Sequence, residues 1–179
     1  MKRLKLICLD TSVLIWGIQG YARESQKGLV KRTANYLKSL ERDSVRIVVP
    51  TPVLAEYLCG IPGEVADRQR QVIAKRFRIA EFGEDAAAVC SDLTRDLWRR
   101  SRDFKELAQQ SPNEKWDRAR QRYKVDCQVI AVAIDARADV IITGEPQVFR
   151  MLAGDRISVS DVPVVEIQKA LPFRGGEPG

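Results

Sequence analysis

An apolar run that ends on a carboxylate constrains this chain more than any other feature. Leu4-Lys5-Leu6-Ile7-Cys8-Leu9 is followed by Asp10 and then by Thr11-Ser12. Such a run, closed by an acid and small hydroxyl residues, predicts a buried strand feeding a helix. The pattern returns twice. Arg46-Ile47-Val48-Val49 is stopped by Pro50, and Val140-Ile141-Ile142-Thr143 by Gly144-Glu145-Pro146. Between the runs, apolar residues recur at helical spacing: Leu29, Val30, Ala34, Leu37 and Leu40 in one segment, and Ala87, Val89, Leu93, Leu97, Phe104 and Leu107 in another. Strands alternating with helices predict an α/β fold in three layers, a parallel sheet flanked by helices.

The smaller punctuation fills in the order. A short helix follows Asp10, capped near Thr11 or Ser12 and ended by Gly17 and Gly20. Thr51 caps the next helix with Pro52 at its first position, and Gly60 closes it. A basic helix spans 64–77, and the alternating 78–82 reads as an edge strand. The long helical region 84–110 is broken by Ser111-Pro112-Asn113. A further helix from about 114 pauses near Lys124, and a buried helix opens at Val125-Asp126. Val164-Val165-Glu166-Ile167 is the last strand. No repeat or linker interrupts this, so residues 1–170 form one domain and 171–179 a flexible tail.

Composition removes several chemistries. The chain has 179 residues, 45% of them hydrophobic, enough for a folded core. No apolar run approaches the roughly 20 residues of a membrane-spanning helix. There is no histidine, which excludes imidazole bases and imidazole metal ligands. Cys8, Cys59, Cys90 and Cys127 are far apart and without zinc spacing; they read as reduced core thiols of a cytoplasmic protein. A catalytic metal would then be held by oxygen, which suits Mg²⁺ or Mn²⁺. The net charge of +6 favours polyanionic partners.

Four acids share one context. Asp10 ends a strand, Glu56 lies on the helix after the next, Asp126 opens the buried helix, and Glu145 follows the fourth strand. In a parallel sheet, sites form outside the carboxyl ends of the strands, so these four can converge. Singly, each has a plainer explanation: a helix cap for Asp10, a solvated helix residue for Glu56, a complement to a helix dipole for Asp126 and Glu145. Together they would repel one another, and a divalent cation would relieve the repulsion. One or two such ions can activate water for in-line attack on a phosphodiester.

Four segments carry a resemblance. Leu9-Asp10-Thr11-Ser12-Val13-Leu14, Leu54-Ala55-Glu56-Tyr57-Leu58, Val125-Asp126-Cys127-Gln128-Val129-Ile130-Ala131 and Ile141-Ile142-Thr143-Gly144-Glu145 resemble the PIN-domain nucleases, and among these the VapC-type toxins of toxin–antitoxin pairs. The resemblance runs from Lys5 to about Ile167. It implies an endoribonuclease dependent on Mg²⁺ or Mn²⁺, a small antitoxin protein as partner, and a homodimer. It also implies catalytic and metal-holding roles for Asp10, Glu56, Asp126 and Glu145. The family's fourth acid is usually an aspartate in Thr-x-Asp-x-x-Phe; here it is Glu145, with Phe149 one residue late.

Basic residues cluster in three runs: Arg68, Arg70, Lys75, Arg76 and Arg78; Arg95, Arg99 and Arg102; and Lys115, Arg118 and Arg122, with Lys124, Trp116 and Tyr123 alongside. The third leads into Asp126. Lys115, Arg118, Arg122 and Lys124 are therefore the candidate RNA-binding set, with Trp116 and Tyr123 available for stacking. Interleaved Asp96, Asp103 and Asp117 give the alternative, solvated faces with salt bridges. A non-catalytic PIN-like module that binds RNA or protein is the second reading; a phosphotransferase or phosphatase with Asp10 as nucleophile is the third, and against it Asp10-Thr11-Ser12 lacks a second Asp two residues on.

Overall fold

A computed structural model describes residues 4–99 and 116–165. Leu6–Leu9 form β1 and are buried on both faces, as an uninterrupted apolar run requires in a parallel sheet. β2 (Arg46–Pro50), β3 (Arg78–Ala80), β4 (Val140–Ile142) and β5 (Ser158–Ser160) complete it. The sheet order is β3-β2-β1-β4-β5, and every pairing is parallel. Seven α-helices flank it among the described residues: α1 (Thr11–Leu14), α2 (Lys27–Arg42), α3 (Thr51–Cys59), α4 (Gly63–Arg76), α5 (Glu84–Arg99), α6 (Trp116–Asp135) and α7 (Pro146–Ala153).

This strand order has a functional consequence. From β1 the chain builds outward through β2 to β3, then returns to lay β4 against the other side of β1. The direction of winding reverses between β1 and β4, and at such a reversal the two flanking loops part to leave a crevice. Asp10 follows β1 and Thr143-Gly144-Glu145 follows β4, so both loops border it. At the opposite end of the sheet, Asp139 Oδ2 accepts the Lys5 and Leu6 backbone N–H groups at 2.8 and 3.0 Å, fixing the start of β4 against the start of β1.

The core is continuous. Ile7, Cys8 and Leu9 of β1, Val48 and Val49 of β2 and Ile141 of β4 are fully enclosed, with Val13 and Leu14 of α1 and Ile130 to Ala133 of α6 packed around them. α6 runs unbroken from Trp116 to Asp135, so the pause expected near Lys124 is absent. What changes there is burial rather than backbone. No glycine or proline lies in the segment to stop a helix, and Cys127, Val129 and Ile130 enter the core where the preceding turns were polar.

Other expectations need correction. The last strand among the described residues is Ser158–Ser160; of the expected strand 164–167, Val164 and Val165 are not in a strand, Val164 is 75% exposed, and residues from 166 onward, including the expected tail, lie outside the described residues. α1 takes Asp10 rather than Thr11 or Ser12 at its cap position. It runs on into a π turn, Ile15–Gln19, that contains Gly17 and ends at Gly20, whose φ is 70°. At α3 the cap position is Pro50, and the Thr51 hydroxyl instead accepts the Phe82 N–H at 3.1 Å. Cys59 is exposed on the outward face of α3, and Cys90 is half-buried; Cys8 and Cys127 alone are core thiols. The break at 111–113, the end of the 84–110 region and Arg102 lie outside the described residues.

Candidate active site

Asp10 stands at the crevice floor, half-buried, where β1 turns into α1. Its Oδ2 accepts two hydroxyl bonds, from Ser12 at 2.9 Å and Thr143 at 2.8 Å. Each hydroxyl is itself oriented: Gly144 N–H donates to Ser12 Oγ at 2.9 Å, and Glu145 N–H donates to Thr143 Oγ1 at 3.1 Å. A hydroxyl that accepts from a backbone amide has its proton left for the carboxylate. The two loops bordering the crevice are thus locked through one carboxylate oxygen. Asp10 holds the cap position of α1, but its side chain makes no capping hydrogen bond there and is bound by Ser12 and Thr143 instead.

Glu56 sits on the second turn of α3 with its side chain toward solvent, and its Oε2 accepts the Thr11 hydroxyl at 2.6 Å. Asp126 lies in mid-helix on α6, ten residues from the first residue of that helix, Trp116, too far in for a helix dipole to account for it. Glu145 occupies the cap position of α7, exposed, with Oε2 at 3.6 Å from Arg122 Nη2.

The charges of the other three acids all act on Asp126. Burial first, then the negative charge of Asp10, raise the Asp126 carboxyl to about 8; Glu145 and Glu56 push it further up, and Arg122 alone pulls it back. Burial also raises Asp10, against the hydroxyl bonds from Thr143 and Ser12, while Glu56 adds to the rise. Three carboxylates raise Asp126, and among the described residues the Arg122 guanidinium opposes them. Among the described residues no three acids or thiols are drawn close enough together to share one ion as they stand. The donor chemistry nevertheless fits a hard divalent cation. All four acids offer oxygen donors, and Mg²⁺ needs only one or two carboxylates, its other positions being filled by water and phosphate.

The basic set is only partly visible. Lys115 lies outside the described residues, and of Arg118 and Trp116 only the helical backbone is described. Arg122 is half-buried beside the site and Lys124 is exposed. Tyr123 is 2% exposed and unavailable to stack on a base; its ring instead lies 5.4 Å from the Arg122 guanidinium. In the first two runs, Arg70, Arg95 and Arg99 pair with Asp67, Asp92 and Asp96, and Arg76 with Glu41, which supports solvated faces there.

Ser12, Thr143 and Thr11 were not singled out as site residues from the sequence. Their signal was adjacency: each hydroxyl lies within two residues of Asp10 or Glu145.

No curated protein sequence matches this chain. Solved structures of similar fold include VapBC2 from Rickettsia felis bound to a DNA fragment from its promoter (16% identity, 87% of this chain and 98% of that one covered, TM-score 0.57). DNA-bound VapBC from Salmonella typhimurium (18%, 90% and 100%, 0.54) and VapBC-1 from nontypeable Haemophilus influenzae (18%, 87% and 97%, 0.56) are further examples. These likenesses show the shared fold. The description of the PIN domain family matches residues 7–154, from β1 to the end of α7, and takes in all four acids. This chain therefore belongs to the PIN domain family.

Proposed function

We propose that this protein is a metal-dependent endoribonuclease that hydrolyses RNA phosphodiester bonds, acting as the toxin of a toxin–antitoxin pair. PIN domains are generally nucleases that use divalent metal ions. The observation that supports the reading is that Asp10, Glu145 and Glu56 all act electrostatically on Asp126, with Asp10 at the winding reversal of the sheet. Asp10 and Asp126 would hold Mg²⁺ or Mn²⁺, which when bound would polarise water and neutralise charge developing on the phosphodiester. Ser12 and Thr143 keep Asp10 turned into the crevice, and Thr11 holds the Glu56 carboxylate, where it can orient the attacking water. Arg122, Lys124, Lys115 and Arg118 would carry the RNA backbone. The similar folds come from complexes named VapBC, and this supports a small antitoxin protein as partner; a homodimer belongs to the same reading.

Purified protein incubated with structured and unstructured RNAs should cleave in Mg²⁺ or Mn²⁺, and Asp10→Asn should remove the activity while the fold is kept. Wild-type silence across such a panel would sink the reading. The absence of a ready three-ligand cluster among the described residues favours one rival, a non-catalytic RNA- or protein-binding module. Calorimetry separates the two, since only the nuclease should bind Mn²⁺ through Asp10.

A further inference from the structure

Glu145 occupies the place of an acid that is one methylene shorter in the motif this chain resembles, and the structure gives the extra length a use. Arg122 and Asp126 are four residues apart on α6 and so share a helix face. From that face the Arg122 guanidinium reaches the Glu145 carboxylate at 3.6 Å, across from the end of β4. The Glu145 backbone is itself pinned through Thr143 to Asp10. Asp10, Thr143, Glu145 and Arg122 are therefore linked in series, and Asp126 lies one helical turn from Arg122. Removing one C–C bond of about 1.5 Å from residue 145 would take the carboxylate out of pairing range.

We propose that Glu145 is a positioning residue that holds Arg122 over the pocket rather than a metal ligand, and that Arg122 is the cation gripping the scissile phosphate. The pair is suited to exchange. At 3.6 Å and with the Glu145 side chain 54% exposed, it is a loose ion pair, and a phosphate can meet the planar guanidinium with two parallel hydrogen bonds. Glu145 then holds Arg122 in place before substrate arrives. This rests on reading the site as one that takes an RNA phosphodiester.

The test uses the full chain and three readouts: binding of a labelled single-stranded RNA by anisotropy in EDTA, Mn²⁺ binding by calorimetry without RNA, and kcat against KM for cleavage. Glu145→Asp keeps the charge and loses the reach; Glu145→Gln keeps the reach and loses the charge. We expect Glu145→Gln to bind RNA more tightly than Glu145→Asp, with Mn²⁺ affinity for both within about twofold of wild type. Arg122→Ala should weaken RNA binding about tenfold. Arg122→Lys, which keeps the charge, should fall between and guards against a folding failure. The Glu145→Asp, Arg122→Ala double variant should be no weaker than Arg122→Ala alone, because the two residues act as a unit.

A metal ligand would behave oppositely: Glu145→Asp near wild type and Glu145→Gln losing Mn²⁺ overturns the proposal. Additive losses in the double variant, or wild-type RNA binding too weak to measure, also overturn it. If the expected binding pattern appears while wild type cleaves nothing, the nuclease reading fails, and Arg122 stands as an RNA-phosphate grip positioned by Glu145. If wild type cleaves and the losses add, the reverse holds.

Discussion

At the residue scale, the site turns on how Asp10 is held. Both hydroxyls that bond its Oδ2 also satisfy a backbone amide of the β4 loop, so losing one disturbs two bonds. Thr143→Val should lower Mn²⁺ affinity by about tenfold, the usual effect of removing a group that orients a metal-holding carboxylate, with calorimetry as the check. Asp126 makes a second prediction. Its carboxyl is raised from the ordinary 3.8 to about 8, chiefly by burial and then by Asp10, so the folded state favours the protonated form. That contribution to stability is fully present below about pH 4 and is lost as pH rises through about 8. With no histidine in the chain, few other groups titrate in this window. The metal-free protein should therefore resist urea less at pH 8.5 than at pH 5, saturating Mg²⁺ should reverse the loss at pH 8.5, and Asp126→Asn should flatten the difference.

At the element scale, two glycines set how closely segments approach. Gly17, inside the π turn, faces α2: a Cβ there would lie 2.6 Å from Leu37 Cδ1 and 2.9 Å from Thr33 Cγ2, both of buried residues. Gly144, in the β4 loop, faces Trp16: a Cβ would lie 2.5 Å from Trp16 Cη2 and 3.0 Å from Ser12 Oγ. Gly17→Ala should destabilise by about 1–3 kcal/mol through overpacking, with kcat preserved at a temperature where the protein is folded. Gly144→Ala should reduce kcat under the same conditions, because what it displaces is the hydroxyl that holds Asp10. Equal effects of the two on kcat would contradict this division. Most elements were legible before the structure. β1, β2 and β4 are short apolar runs bounded by turn signals, the mark of a strand buried on both faces. β5 was not legible, because Ser158-Val159-Ser160 is a half-exposed edge with no apolar run to mark it, whereas 164–167 carries one and is not a strand among the residues described.

At the scale of the whole molecule, one helix joins core and chemistry. α6 carries Arg122 and Asp126 on its outer turns and Ile130 to Ala133 in the core. Ile130 is fully buried, and Ile130→Ala should cost about 2–5 kcal/mol, read by urea denaturation, with cleavage by the remaining folded protein nearly intact.

The sequence by itself determined the strands that are buried on both faces, the acids placed at their carboxyl ends, and the exclusion of imidazole chemistry, because each is local: periodicity, punctuation and residue type are properties of short segments. Only the tertiary structure decided that β4 lies against β1, that Thr143 and Ser12 share one oxygen of Asp10, that Tyr123 is buried, and that Glu145 reaches Arg122. Those facts depend on which strands become neighbours when helices cover both faces of the sheet, and adjacency between separate segments is fixed by packing of the whole, not by the pattern of any part.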